Sequence, residues 1–398
     1  MHGFLVGHAT HPDWRVALAL AAAQIDARRA AHEASAAGPL TLGLVYFTDH
    51  YAQQAQALLD ALRQRWPAVS WAGSVGVGVA ASGVEYFDQP ALALMLAALP
   101  AAQFEVFSGA RKLQRTLPFS ALVHADPATP DLAELIAEMS ERTASGYLFG
   151  GLSSSRGAGV HIADGVWQGG LSGVAFSSAV ALVSRVTQGC QPLAPARSVT
   201  ACERNIVTRL DGQPALACLL ADLDLQDLDD ARLALPRLRS TLVGLTDAHD
   251  SALARPGQFG ADTRVRHLIG LDASRAAVAV DEKLHIGMKL AFCQRDVAAA
   301  RRDLVRVCSE IRDQVESLAE PSMQSAQGQP PELAQRIRGA VYVSCAGRGG
   351  AHFGGPSAEL KIVQHALGEV PLVGFFAAGE IARHHLYGYT GVLTVFTG

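Results

Sequence analysis

A thiol, a guanidinium, a carboxylate and several hydroxyls gather towards the C-terminus. Cys345 and Arg348 stand in "SCAGRGGAHFG", directly after the apolar run "GAVYVS"; Glu380 stands in "FFAAGEIA", and Tyr387, Tyr389 and Thr390 in "LYGYTG". A guanidinium pairs bidentately with a carboxylate, and a carboxylate pairs with an ammonium, so Arg348 and Glu380 together match an amino acid or a similar zwitterion. Gly349 lets backbone approach closely beside Arg348. The competing reading is an ion pair between Arg348 and Glu380 that staples two loops. A third is nucleophilic: Cys345, with Arg348, His352, His384 or His385 as neighbours, attacks a substrate if its pKa is lowered. No nucleophile elbow and no caspase-like or papain-like signature accompanies Cys345, which makes it a weak catalytic candidate and favours binding over catalysis.

Other site chemistries fail on spacing. "GRGGAHFGGPS" lacks the lysine of a phosphate-binding P-loop, and "GSVGVGVAASG" misses the dinucleotide fingerprint. The six cysteines form no C-x-x-C, and adjacent His384 and His385 would point to opposite faces of a strand. His2, His8 and His11 cluster near the N-terminus, where a single metal is a minor alternative. No metal and no cofactor is expected.

The strands and helices around these groups recur in the same order. "LTLGLVYFT" reads as a strand, "YAQQAQALLDALRQRW" as a helix ended by Pro67, "VSWAGSVGVGV" as a strand, and "PALALMLAAL" as another after a polar loop. "GAVYVSCAG", "SAELKIVQHALGEV", "PLVGFFAAGEIA" and "TGVLTVFTG" repeat that order. "YLFGGLSSSRGAGVHIADGVWQGGLSGVAFS" and "VAVDEKLHIGMKLAFCQRD" carry its ending only. The loop between the last two strands is too short for a helical crossover, which predicts a hairpin. The expected fold is α+β: two modules on a duplicated strand-helix-strand-strand unit, with mixed or mostly antiparallel sheets and helices on their faces. The modules are expected at 1–215 and 216–398. Duplication also places Ser74 in "AGSVG" and Ser153 and Ser154 in "GGLSSS" at equivalent strand ends.

Length and composition agree. At 398 residues the chain exceeds what one core usually serves, and 49% hydrophobic residues can fill two. A net charge of −4 gives no footprint for nucleic acid. No stretch is apolar for long enough to span a membrane, and the N-terminus has no basic leader. A cytoplasmic protein follows. "PSMQSAQGQPPE" (321–332) reads as an exposed loop.

"CAGRG…FGG…E" followed by "VPLVGFFAAGEIA…LYGYTGVLTVF" resembles the C-terminal module of the FIST family (F-box and intracellular signal transduction proteins). "LGLVYFTDHYAQQAQALLDALRQRWPAVSWAGSVGVG" and "YLFGGLSSS" resemble its N-terminal module. The resemblance implies a sensory domain that binds a small ligand, an amino acid or a related metabolite, and signals through a protein partner. It also implies the alternative of a protein-interaction adaptor, with the 321–332 loop as docking segment. No length remains for an output domain of the kind fused to relatives, so output is expected from a partner. The expected ligand set is Cys345, Arg348, Gly349, Glu380, Tyr387, Tyr389, Thr390, Ser74, Ser153 and Ser154, converging on a cleft between the modules.

Overall fold

The computed structural model describes residues 3–34, 38–114, 118–225, 231–248, 263–319 and 333–398. The 321–332 segment lies outside them. The chain forms two compact units, Met1–Thr187 with Arg301–Gly398, and Gln188–Ala300.

The larger unit uses one motif three times among the described residues. The first copy follows β1 (Phe4–Thr10) and α1 (Trp14–Ala34). It runs β2 (Leu42–Thr48), a 3-10 turn (Asp49–Gln54), α2 (Ala55–Arg65), β3 (Ser70–Gly76), the hairpin β4 (Gly78–Ala81) and β5 (Val84–Phe87), then β6 (Ala91–Ala97). After β7 (Phe104–Phe107) the second runs β8 (Ser120–Ala125), α3 (Leu132–Glu141), β9 (Tyr147–Leu152), the hairpin β10 (His161–Ala163) and β11 (Val166–Trp167), then β12 (Leu171–Phe176). β13 (Leu182–Gln188) leads out.

The smaller unit holds β14 (Cys190–Pro192), β15 (Arg197–Glu203), β16 (Ile206–Leu210), β17 (Gln213–Pro214), α4 (Ala215–Asp222), α5 (Ala231–Ser240), β18 (Leu242–Thr246), β19 (Arg264–Asp272), β20 (Ala277–Val280) and β21 (Lys289–Arg295). These strands form one antiparallel sheet over a core that includes Val207, Leu219, Val243 and Phe292. After α6 (Val297–Ala319) and α7 (Leu333–Arg336), the third copy runs β22 (Ile337–Cys345), α8 (Ala358–Leu367), β23 (Leu372–Ala377), the hairpin β24 (Glu380–Ala382) and β25 (His385–Tyr387), then β26 (Thr390–Thr397).

The fold is α+β with mixed sheets, as the sequence predicts. In each copy the first two strands are parallel and the last is antiparallel to the first. The predicted hairpin between the last two strands is corrected by this order. β3 does not pair with β6, nor β23 with β26, because the first strand of the copy lies between them. The polar loop is itself the hairpin, and it leaves for another sheet. β4–β5 joins β23, β10–β11 joins β3, and β24–β25 joins β9. Each copy thus lends a hairpin to another, in a closed ring. The second copy is complete as well: "SALVHA" and the helix after it are the beginning that the sequence reading missed.

One residue marks the three copies. Gly73, Gly150 and Gly374 stand opposite Val45, Val123 and Tyr342 in the parallel pairs. A Cβ at any of them would lie 1.7–1.9 Å from the carbonyl oxygen of that partner, so no side chain fits without moving backbone.

The three sheets share one core, in which Tyr46, Phe149, Phe176, Val343 and Phe375 are buried together. Burying each such side chain contributes roughly 1.5–3 kcal/mol. Helices cover the outer faces: Leu58, Leu59 and Leu62 of α2 pack behind β2 and β3, and Ile136 and Met139 of α3 behind β8. No described helix is long and apolar enough to cross a membrane.

The exchange has a consequence for truncation. A chain ending at Pro214 keeps β4–β5 but loses β23, and keeps β9 but loses β24. Unpaired backbone and bared core should then leave it without a cooperative thermal transition by circular dichroism. A sharp transition would show that the copies fold independently.

Candidate functional site

Each sheet presents one rung of side chains to the shared core near the carboxyl ends of its parallel strands. In one sheet the rung is Ser172, His124, Gly151, Glu380 and Tyr387 across β12, β8, β9, β24 and β25. In another it is Ala93, Tyr46, Ser74, His161 and Trp167. The hydroxyl of Tyr46 meets Nε2 of His124 at 3.1 Å, and Tyr46 stacks on Phe375 with ring centroids 5.1 Å apart. Nδ1 of His161 lies 2.5 Å from Oγ of Ser172. Burial, with His161 nearby, drives His124 down to about 3, so it stays neutral.

A cluster at the carboxyl end of β22 shares Glu380 with this layer and brings Cys345, Arg348, Tyr389 and Thr390 to it. Cys345 ends β22, and a 3-10 turn (Ala346–Arg348) carries the chain to Arg348. Arg348 is 1% exposed. Its Nε and Nη2 donate to Oε1 of Glu359 at 2.9 and 2.6 Å. Tyr342 donates to the same oxygen at 2.7 Å, and Ser344 to Oε2 at 3.0 Å. The Phe353 ring lies 5.0 Å from the guanidinium carbon. Burial alone would lower the Arg348 pKa, but the Glu359 carboxylate outweighs it and keeps the guanidinium charged. Here the structure corrects the ion-pair reading: the partner of Arg348 is Glu359, eleven residues on, and not Glu380.

Glu380 is fully buried, and its Oε2 accepts from the amide and hydroxyl of Thr390 at 3.1 and 2.7 Å. Burial raises its pKa to about 8, against the opposing pull of Thr390 and Arg348. Its Oε1, and Nη1 of Arg348, are buried without a hydrogen-bond partner among the described residues. Arg348 acts on Glu380 through its charge, and the Cys345 thiol donates a weak hydrogen bond to its carboxyl group.

Cys345 is 9% exposed. Burial and then the Glu380 carboxyl push its thiol up to about 12, although the amides of Gly347 and Tyr389 donate to the sulfur. A reactive cysteine needs the opposite shift. At pH 7.5 iodoacetamide should label Cys345 at least tenfold more slowly than the partly exposed Cys202, with a rate still climbing at pH 10. Peptide mass spectrometry of a labelling time course checks this. Preferential labelling of Cys345 with a plateau near neutrality would restore the nucleophile.

The other predicted residues take mixed places. Tyr389 has a positive φ of 62° beside the thiol. Tyr387 is buried on the rung next to Glu380. A Cβ on Gly349 would fall 2.1 Å from the Phe87 ring, so the hairpin lent by the first copy closes tightly on the Arg348 turn. Ser74 donates to the carbonyl of Val75 and Ser153 to that of Ala125, each at 3.2 Å. Ser154 donates to the carbonyl of Phe376 and accepts from the amide of Val77 at 2.9 Å. Ser153 and Ser154 therefore tie separate strand ends together, while Ser74 bonds within its own strand. His384 in the β24–β25 turn and His385 at the start of β25 have ring centroids 3.8 Å apart rather than lying on opposite faces. No group of three potential metal ligands occurs among the described residues.

Sequence reading missed Glu359, Tyr342, His124 and Tyr46. Glu359 was legible: it shares the buried stripe of α8 with Val363, one turn on. It also missed an open cleft of about 590 Å³ beyond the carboxyl end of β2, lined by Asp49, His50, Gln53, Arg156 and Gln168 among others.

Two family models match the chain: the one described as FIST N domain over residues 41–213, and the FIST C domain over 215–383. An uncharacterized protein of Mycobacterium tuberculosis is 31% identical over 409 residues, covering 98% of both chains. An uncharacterized protein of Mycobacterium bovis has the same identity and coverage.

Proposed function

The chain belongs to the FIST family, whose domains are signal-transduction sensory domains suggested to bind small ligands, and from that premise we propose that it senses an amino acid or a related metabolite. One observation carries the reading. Nη1 of Arg348 and Oε1 of Glu380 are an unpaired donor and an unpaired carboxyl oxygen, both buried and electrostatically coupled. Buried polar groups without partners cost about 1–3 kcal/mol each, so a fold that keeps two together gains by offering them to a ligand. The ligand's carboxylate or carbonyl meets Arg348, and its amine meets Glu380. Gly349, Cys345, Tyr387, Tyr389 and Thr390 surround the pair, while Ser153 and Ser154 bond across to neighbouring strand ends.

The signal passes to a separate protein partner in the cytoplasm, and the FIST modules divide near residue 215. The six free cysteines support a reducing compartment. The match limits at 213 and 215 support the boundary.

Native mass spectrometry with each L-amino acid at 1 mM tests the proposal. A complex of one-to-one stoichiometry with at least one of them is expected. The bare chain throughout would refute the amino-acid reading.

A further inference from the structure

The proposed site leaves the open cleft unused. It lies beyond β2, where Thr48 gives way to Asp49, and β2 and β3 are parallel strands joined through α2. Ligands of open α/β sheets gather at such carboxyl ends. The facing wall is the connection from β9 to β10, so two copies of the motif build the cleft.

The three copies differ at this place. Past β8, Asp126 is filled by the chain's own backbone: its carboxylate accepts from the amides of Ala128 and Gly169 at 2.9 Å each. Past β22, the Arg348 turn is closed by Glu359 and Phe353. Past β2, Asp49 instead accepts from Nε and Nη2 of Arg156 at 2.8 and 2.6 Å, and from the Arg156 amide at 2.9 Å. Nη1 of Arg156 donates to Asp88 at 2.6 Å. Three side-chain hydrogen bonds, with the fourth from its own backbone amide, thus immobilise a side chain that is still 57% exposed. Two guanidinium hydrogens remain unspent.

The chemistry of the walls selects a ligand. Arg156 is matched by two carboxylates, so the cleft has no surplus positive charge to hold an anion. Gln53, from the first copy, and Gln168, from the second, line the cleft together with the apolar Ala52 and Val160. Carboxamides and a charge-compensated guanidinium offer directional donors and acceptors. We propose that this cleft is a second binding site of the chain, for an uncharged small molecule bearing hydroxyl or carboxamide groups.

Isothermal titration of the full chain with myo-inositol, propionamide, inorganic phosphate and putrescine tests it. The expected result is binding of myo-inositol or propionamide in preference to phosphate and putrescine. That binding should weaken at least tenfold in Arg156→Ala and at least threefold in Gln168→Ala, and be unchanged in Glu380→Gln. Gln168 is exposed, so its variant remains informative if Arg156→Ala fails to fold. Preference for phosphate or putrescine, no binding of either uncharged probe at 50 mM, or equal binding by Gln168→Ala would overturn the proposal. Loss in Glu380→Gln alone would assign the binding to the buried cluster instead.

Discussion

Replacing Arg348 with alanine is expected to destabilise the unliganded protein by about 3–5 kcal/mol in denaturant unfolding. The guanidinium is 1% exposed and supplies two of the hydrogen bonds to Glu359 Oε1. Removing it leaves the Glu359 carboxylate buried with only the hydroxyls of Tyr342 and Ser344 as partners. A buried charge without its counter-ion costs far more than the pair itself contributes. For that reason Arg348→Met combined with Glu359→Met should recover most of the loss, since the double change removes both charges and keeps the volume. From the sequence, an Arg348 devoted to a ligand predicts an apo protein indifferent to its loss. The buried partner reverses that expectation. A change below about 1 kcal/mol in Arg348→Ala would show that Glu359 does not depend on it.

The second large effect is a pH dependence. Glu380 ionises near 4.5 when unfolded and near 8 when folded. Between those values the folded protein holds a proton that the unfolded chain has released, so raising the pH favours unfolding. Stability from this group is full below about pH 4.5, falls by up to about 1.4 kcal/mol per pH unit through the window, and levels off above about 8. Glu380→Gln removes the titration and keeps an oxygen to accept from Thr390. Its stability should therefore be flatter between pH 5 and 8 and exceed that of the wild type at pH 8. Superimposable pH profiles of the two proteins would mean that Glu380 is ionised in the folded state.

Much of this was legible in the sequence because the signals are local. "LGLVYFT", "ALALMLA" and "GAVYVSC" are apolar runs of strand length, and all three are strands. Cys345, Arg348, Glu380 and Thr390 fall together because each stands at a strand end of one copy, which order along the chain reveals. The partner of Arg348 was harder to read, since pairing with Glu380 and with Glu359 satisfies the same charge rule. Only the inward face of α8 decides between them. The hairpin exchange was not legible at all. Short pieces such as "GVAA" and "EIA" have no periodicity that tells which sheet they join. The pairing is decided by contacts hundreds of residues away, as between Val79 and Phe375. Asp49 and Arg156 escaped for the same reason, being brought together from distant loops.

On the proposed function, Arg348 and Glu380 offer their unpaired atoms to an amino acid or a close relative. This is tested most directly by thermal shift of the wild type and Glu380→Gln, side by side, with each L-amino acid at 10 mM and pH 8. A ligand bound only by the folded protein raises its melting temperature. At least one amino acid should raise that of the wild type by several degrees and leave Glu380→Gln nearly unmoved. Equal shifts in both proteins, or none in either, would contradict it.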